Sequence, residues 1–169
     1  MVKFQAASNS IIGYGSSELA KSEKNDCFVR AVASATEVPY DAAHEYVEAV
    51  FNRANGKGVV FSEDKLAPVE TNGMLINEKG FNFKVLGRTK LTNTYKLHGE
   101  YIRRQKTVKS FIKDNPKGTF ILGVSKHAFT LKDGILIDNK DEEFRPTRKV
   151  DGAYKINVPE KIVQLSLFN

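Results

Sequence analysis

A cysteine, a histidine and an aspartate in this chain fall where they could form a nucleophile and its base. The 169 residues hold one cysteine, Cys27, and three histidines, His44, His98 and His127. Cys27 follows the polar run Ser22-Glu23-Lys24-Asn25-Asp26, in which Asp26 is placed to cap a helix starting at the cysteine. A thiolate in a first helical turn is stabilised by unpaired amides and by the helix dipole, which predicts a thiol pKa below the free value of about 8.5. The competing reading is a buried cysteine acting as a small hydrophobe. His127 opens the run His127-Ala128-Phe129-Thr130-Leu131-Lys132, which Asp133-Gly134 separates from Ile135-Leu136-Ile137-Asp138. Asp-Gly between alternating apolar residues predicts a two-residue hairpin turn, because both positions accept positive φ. In that register His127, Phe129, Leu131, Leu136 and Asp138 share a face, with His127 and Asp138 as diagonal neighbours. A carboxylate beside one ring nitrogen is what a catalytic histidine needs to hold its tautomer and orientation. A purely structural His–Asp pair satisfies the same spacing. A three-residue turn would put Asn139 on the face in place of Asp138.

The elements that must position these groups read as helices first and strands after. Residues 1–24 read as an irregular N-terminal arm. Phe28, Ala31, Val32 and Ala35 recur at helical spacing, and Pro39 ends that helix by Val38. Asp41 is read as the cap of a second helix carrying Ala43, Tyr46, Val47 and Val50, closed by Asn55-Gly56-Lys57-Gly58. Residues 59–80 are ambiguous, with a short helix near Ser62–Leu66 and irregular structure around Asn72-Gly73. Phe81, Phe83 and Val85 alternate as a strand does. Residues 88–105 read as a long polar, basic excursion. Thr107 caps a short helix with Val108, Phe111 and Ile112, and strands follow at Thr119–Val124, His127–Lys132, Ile135–Asp138 and Tyr154–Val158. The fold class is therefore α+β, a single domain over residues 1–169. His44, on the second helix, reads as structural, and His98 as solvated.

Composition bounds the function classes. One cysteine excludes an intrachain disulfide framework and a multi-cysteine zinc site, and neither a metal nor a cofactor is expected. No apolar run nears the roughly 18 residues of a membrane span, and MVKFQAASNSIIGYG lacks a signal-peptide pattern, so the expectation is a cytoplasmic protein with no membrane partner. The net charge of +6 is uneven: residues 1–85 hold 9 basic and 11 acidic side chains, and residues 86–169 hold 17 and 9. Between Lys84 and Lys113 nine basic residues accompany one acid, Glu100. That stretch suits an acidic protein partner, nucleic acid or simple solvation, and no nucleic-acid motif accompanies it.

The chain order Cys, His, Asp/Asn resembles that of papain-like cysteine peptidases. The segments Asn25–Val32 and Val38–His44 resemble the N-terminal helices of small phage and bacterial C39-like proteins, and Lys126–Asp138 resembles their histidine hairpin. The resemblance covers about residues 25–58 and 107–139. It implies a papain-like fold in which N-terminal helices carrying the cysteine pack against an antiparallel sheet carrying the histidine. It also implies Cys27 as nucleophile, His127 as general base and acid, Asp138 as its orienter, and a peptide or protein substrate. A phage origin would place the protein in the bacterial host cytoplasm. The backbone N–H of Cys27 is one implied oxyanion donor. The family's usual glutamine, about six residues before the cysteine, is here Lys21, which leaves Asn25 and Ser22 as candidates for the second donor. Phe28 stands where many relatives have glycine. The alternative implied by those departures is a non-catalytic scaffold of the same fold that binds an acidic protein or nucleic acid through its basic segment.

Overall fold

A computed structural model describes residues 2–54, 56–59, 73–139, 146–157 and 159. In chain order its elements are β1 (Lys3–Ala6), α1 (Glu18–Ser22), α2 (Cys27–Thr36), α3 (Tyr40–Phe51), α4 (Leu75–Glu78), β2 (Asn82–Val85), α5 (Arg88–Leu91), β3 (Thr92–Leu97), β4 (Glu100–Gln105), α6 (Val108–Asp114), β5 (Thr119–Val124), β6 (His127–Lys132), β7 (Ile135–Asp138) and β8 (Gly152–Asn157). The fold class is α+β. One six-stranded sheet runs in the order β1-β7-β6-β5-β8-β2, and β3 and β4 form a separate two-stranded ribbon.

The helical spacing of Phe28, Ala31, Val32 and Ala35 buries all four side chains in one cluster with α3 and the sheet. α2 stops where Glu37 turns left-handed at φ 53°, just ahead of Val38-Pro39. α3 starts directly after Pro39. Asp41 therefore sits inside its first turn, rather than at the cap, and its carboxylate accepts from the Ser17 hydroxyl. Asn52, left-handed at φ 49°, ends α3 before the Asn55–Gly58 stop is reached. The helix expected near Ser62–Leu66 lies outside the described residues, as does Asn72.

Two further expectations are corrected. The arm is not irregular throughout, since β1 pairs in parallel with β7, Lys3 opposite Ile135 and Ala6 opposite Asp138. α1 follows, capped by the Ser17 hydroxyl, which accepts from the Ala20 amide. The sheet is consequently antiparallel except at that edge. Nor is 88–105 a structureless excursion: α5 leads into the β3–β4 ribbon, whose strands meet at a His98-Gly99 turn with φ of 49° and 88°.

One contact sets the geometry that follows. α2 lies across β6 and β5, and the buried Thr130 hydroxyl donates to the Ala31 carbonyl at 2.7 Å. This bond fixes the axial register of helix and strand, and with it the position of Cys27 at the helix start relative to His127 at the strand start. The opposite sheet face is filled by Val108, Phe111, Phe120, Leu122, Phe129 and Leu131. α6 supplies the first two, and its cap is the expected Thr107, which accepts from the Ser110 amide.

Candidate active site

The Asp133-Gly134 turn has φ of 48° and 77°, and Lys132 opposes Ile135 while Leu131 opposes Leu136. This is the two-residue register read from the sequence. It places Asp138 against His127, with Oδ2 2.7 Å from Nε2. Asn139 contributes its backbone amide instead, donating to Asp138 Oδ1 at 2.7 Å. The carboxylate thus receives one donor from the ring and one from the chain, which holds it in a single orientation. His127 Nε2 is committed to Asp138, and Cys27 lies near enough to act on the ring. Burial disfavours the imidazolium, but the hydrogen bonds and charges of Asp138 and Cys27 outweigh it and push His127 up to about 9.

Cys27 is the first residue of α2 and is half-buried. Its predecessor does not cap the helix through its side chain. The Asp26 carboxylate accepts from the Tyr40 hydroxyl at 2.8 Å and pairs with Arg30 at 3.0 Å, so it ties the start of α2 to α3. As the first helical residue, Cys27 has no intrahelical acceptor for its backbone N–H. Cys27 and His127 both line a cleft of about 560 Å³, together with Asn25, Gly58, Gly123 and Asp151. Left-handed residues precede both reactive groups: Asn25 at φ 56° and Lys126 at φ 60°. Each turns the chain sharply just before the side chain that enters the cleft.

The two candidates for a second oxyanion donor separate. Asn25 lines the cleft, and its Nδ2 donates one hydrogen to the Gly56 carbonyl at 3.0 Å. Ser22 does not belong to the site, because its hydroxyl bonds back to the Glu18 and Leu19 carbonyls of its own helix. Lys21 is paired with Glu18 at 2.6 Å on the exposed side of α1. Lys126 and Asp151 bring one charge of each sign to the cleft. Neither stood out in the sequence, since Asp151 lies just before β8, far along the chain from Cys27.

Among the described residues no group of three or more His, Cys, Asp or Glu side chains could hold a metal ion, and no helix is long and apolar enough to cross a membrane. Comparison of the chain with protein-family models, with curated proteins and with solved structures found no match.

Proposed function

We propose that the chain is a papain-like thiol hydrolase, acting on a peptide, isopeptide or related acyl bond through Cys27, His127 and Asp138. One observation carries the reading. A thiol at the start of a buried helix shares an open cleft with an imidazole whose far nitrogen is held by a carboxylate. Such an arrangement supports nucleophilic catalysis, which needs a thiol beside a base whose far nitrogen is held by an orienter.

In the first half-reaction His127 holds the Cys27 proton as the imidazolium, and the thiolate attacks the substrate carbonyl. The C=O pair moves onto oxygen, which the Cys27 N–H and the second hydrogen of the Asn25 amide stabilise. Collapse of the tetrahedral species breaks the bond to the leaving amine, which receives the proton from the imidazolium. A thioester at Cys27 remains. Water then attacks with His127 as base, and the acid leaves as the thiol is restored. Asp138 keeps the ring aligned in both steps and stabilises its charge without itself taking the proton.

The test is acyl transfer from an activated ester. Incubation with p-nitrophenyl acetate should release nitrophenolate in a burst equal to the enzyme present, and mass spectrometry should place the acetyl group on Cys27. Cys27→Ala should remain folded and give no burst. Acylation spread over surface lysines, with the burst retained in Cys27→Ala, would refute the proposal and leave the scaffold reading.

A further inference from the structure

We propose that the β3–β4 ribbon and the lysine-rich pocket at its base bind duplex DNA, with the ribbon in the major groove. The ribbon is six residues per strand, so it reaches about 20 Å from its root. Every residue from Thr94 to Tyr101 is exposed, and Tyr101 and Tyr95 expose 75% and 51% of their surface. These large aromatic side chains make contacts within the ribbon itself, Tyr101 with Lys96 and Tyr95 with Asn93. They are accompanied by Lys96, Arg103 and Arg104 against the single acid Glu100.

The register decides how the cations are distributed. Lys96 opposes Tyr101 and Thr94 opposes Arg103, which puts Lys96 and Arg103 on one face. Asn93 opposes Arg104, one residue out of phase, which puts Arg104 on the other face with Tyr95, Ile102, Leu97 and the one acid, Glu100. Three cations against one acid suit a polyanion, and the major groove of B-DNA, about 12 Å wide between two phosphate strands, admits a two-stranded β-ribbon.

The ribbon's root supplies the second observation. Lys90, just before β3, and Lys106, just after β4, both line a pocket of about 770 Å³, together with Lys84, Lys117 and Lys155. Its one acid, Asp114, is taken by Lys106 at 2.6 Å. Among the described residues the other four lysines have no ion-pair partner. Lys84 and Lys155 stand directly opposite each other on β2 and β8. Like charges so placed are unfavourable without a counter-anion. A phosphate backbone flanking the groove would provide one, so pocket and ribbon form a continuous basic surface. No residue is shared with the cleft that holds Cys27.

Fluorescence anisotropy with a mixed-sequence duplex of about 20 base pairs, two helical turns, tests the assignment. Binding should appear at about 50 mM salt and weaken by roughly a thousandfold by about 200 mM, as expected for six or more phosphate contacts. The variant Lys96→Glu/Arg103→Glu/Arg104→Glu, all surface changes, should unfold at the wild-type temperature. It should bind at least about a hundredfold more weakly, with a salt slope shallower by about three. Lys84→Glu/Lys155→Glu should also weaken binding, by a smaller factor. No duplex binding at 50 mM, or full binding by the ribbon variant, would overturn the proposal. Polyglutamate competing as well as duplex would overturn it in favour of an acidic protein partner. A single strand binding as tightly as the duplex would overturn the groove assignment.

Discussion

His44 and His127 each stand beside a carboxylate, Glu23 at 3.6 Å and Asp138 at 2.7 Å, and each side chain is 7% exposed. Burial therefore does not distinguish them; their surroundings do. Glu23 is engaged by the fully buried Arg53 guanidinium, which also donates to the Lys24 carbonyl and lies 3.3 Å from His44 Nε2. Burial alone would raise Glu23, but the Arg53 hydrogen bond and charge hold it below the usual carboxylate range. The negative charge is thus neutralised before His44 can use it. The other His44 nitrogen lies 3.7 Å from Glu48. Around Asp138 no arginine or lysine forms an ion pair among the described residues, so its charge acts on His127, which shares an open cleft with a thiol. A histidine–carboxylate pair becomes chemically useful when its carboxylate is uncommitted to a cation and its free nitrogen faces a nucleophile.

The largest expected effect falls on the sealed cluster. Arg53→Met should destabilise the fold by about 3–5 kcal/mol in urea unfolding, because it strands the buried Glu23 carboxylate. The double change Glu23→Leu/Arg53→Met should recover most of that loss. Thiol reactivity of the folded protein should be unchanged in both. Slower Cys27 alkylation in either variant would mean that the two clusters are coupled and that the contrast drawn above is incomplete.

Next in size is the orienter. Asp138→Ala should slow acylation of Cys27 by about ten- to a hundredfold by releasing the ring, whereas Asp138→Asn should lose less, since an amide oxygen still accepts from the imidazole N–H. Asn139→Ala should be nearly silent, because only its backbone amide reaches the site. Stopped-flow acylation rates separate the three, and equal losses at 138 and 139 would contradict the register.

A smaller effect concerns stability against pH. The folded-state pKa of His127, about 9, lies above its ordinary 6.5, so protonation stabilises the fold. That contribution is fully present below about 6.5 and is lost as pH rises through about 9. The stability difference between wild type and His127→Gln should therefore shrink across that window. A difference that stays constant would mean that the imidazolium is not held by its neighbours.

The hairpin carrying His127 and Asp138 was legible in the sequence because its signal is local: Asp133-Gly134 fixes the turn and the turn fixes parity. The start of α2 was legible for the same reason, although the role of Asp26 was not, since Tyr40 and Arg30 outcompete the helix amides for its carboxylate. β1 left no periodic trace because Lys3, Phe4 and Gln5 are all exposed and its pairing is with residues more than a hundred positions away. The ribbon was missed because neither of its faces is buried, so the apolar alternation that marks a strand is absent; the one local cue was His98-Gly99. The Glu23–Arg53–His44 cluster was likewise hidden, since its members join three segments through contacts that no sequence spacing encodes. Of the site, the sulfur, ring and carboxylate could be read, while Asn25 and Ser22 could be told apart only once their hydrogen bonds were seen.

The central claim, that His127 activates Cys27, is tested most directly by the pH profile of iodoacetamide alkylation in wild type and His127→Ala. Near pH 7 the wild-type rate should exceed that of the variant by on the order of tenfold, because the imidazolium favours the thiolate beside it. Above about pH 9, where His127 loses its proton, the two rates should converge. Identical profiles from pH 6 to 10 would show a passive thiol and contradict the claim.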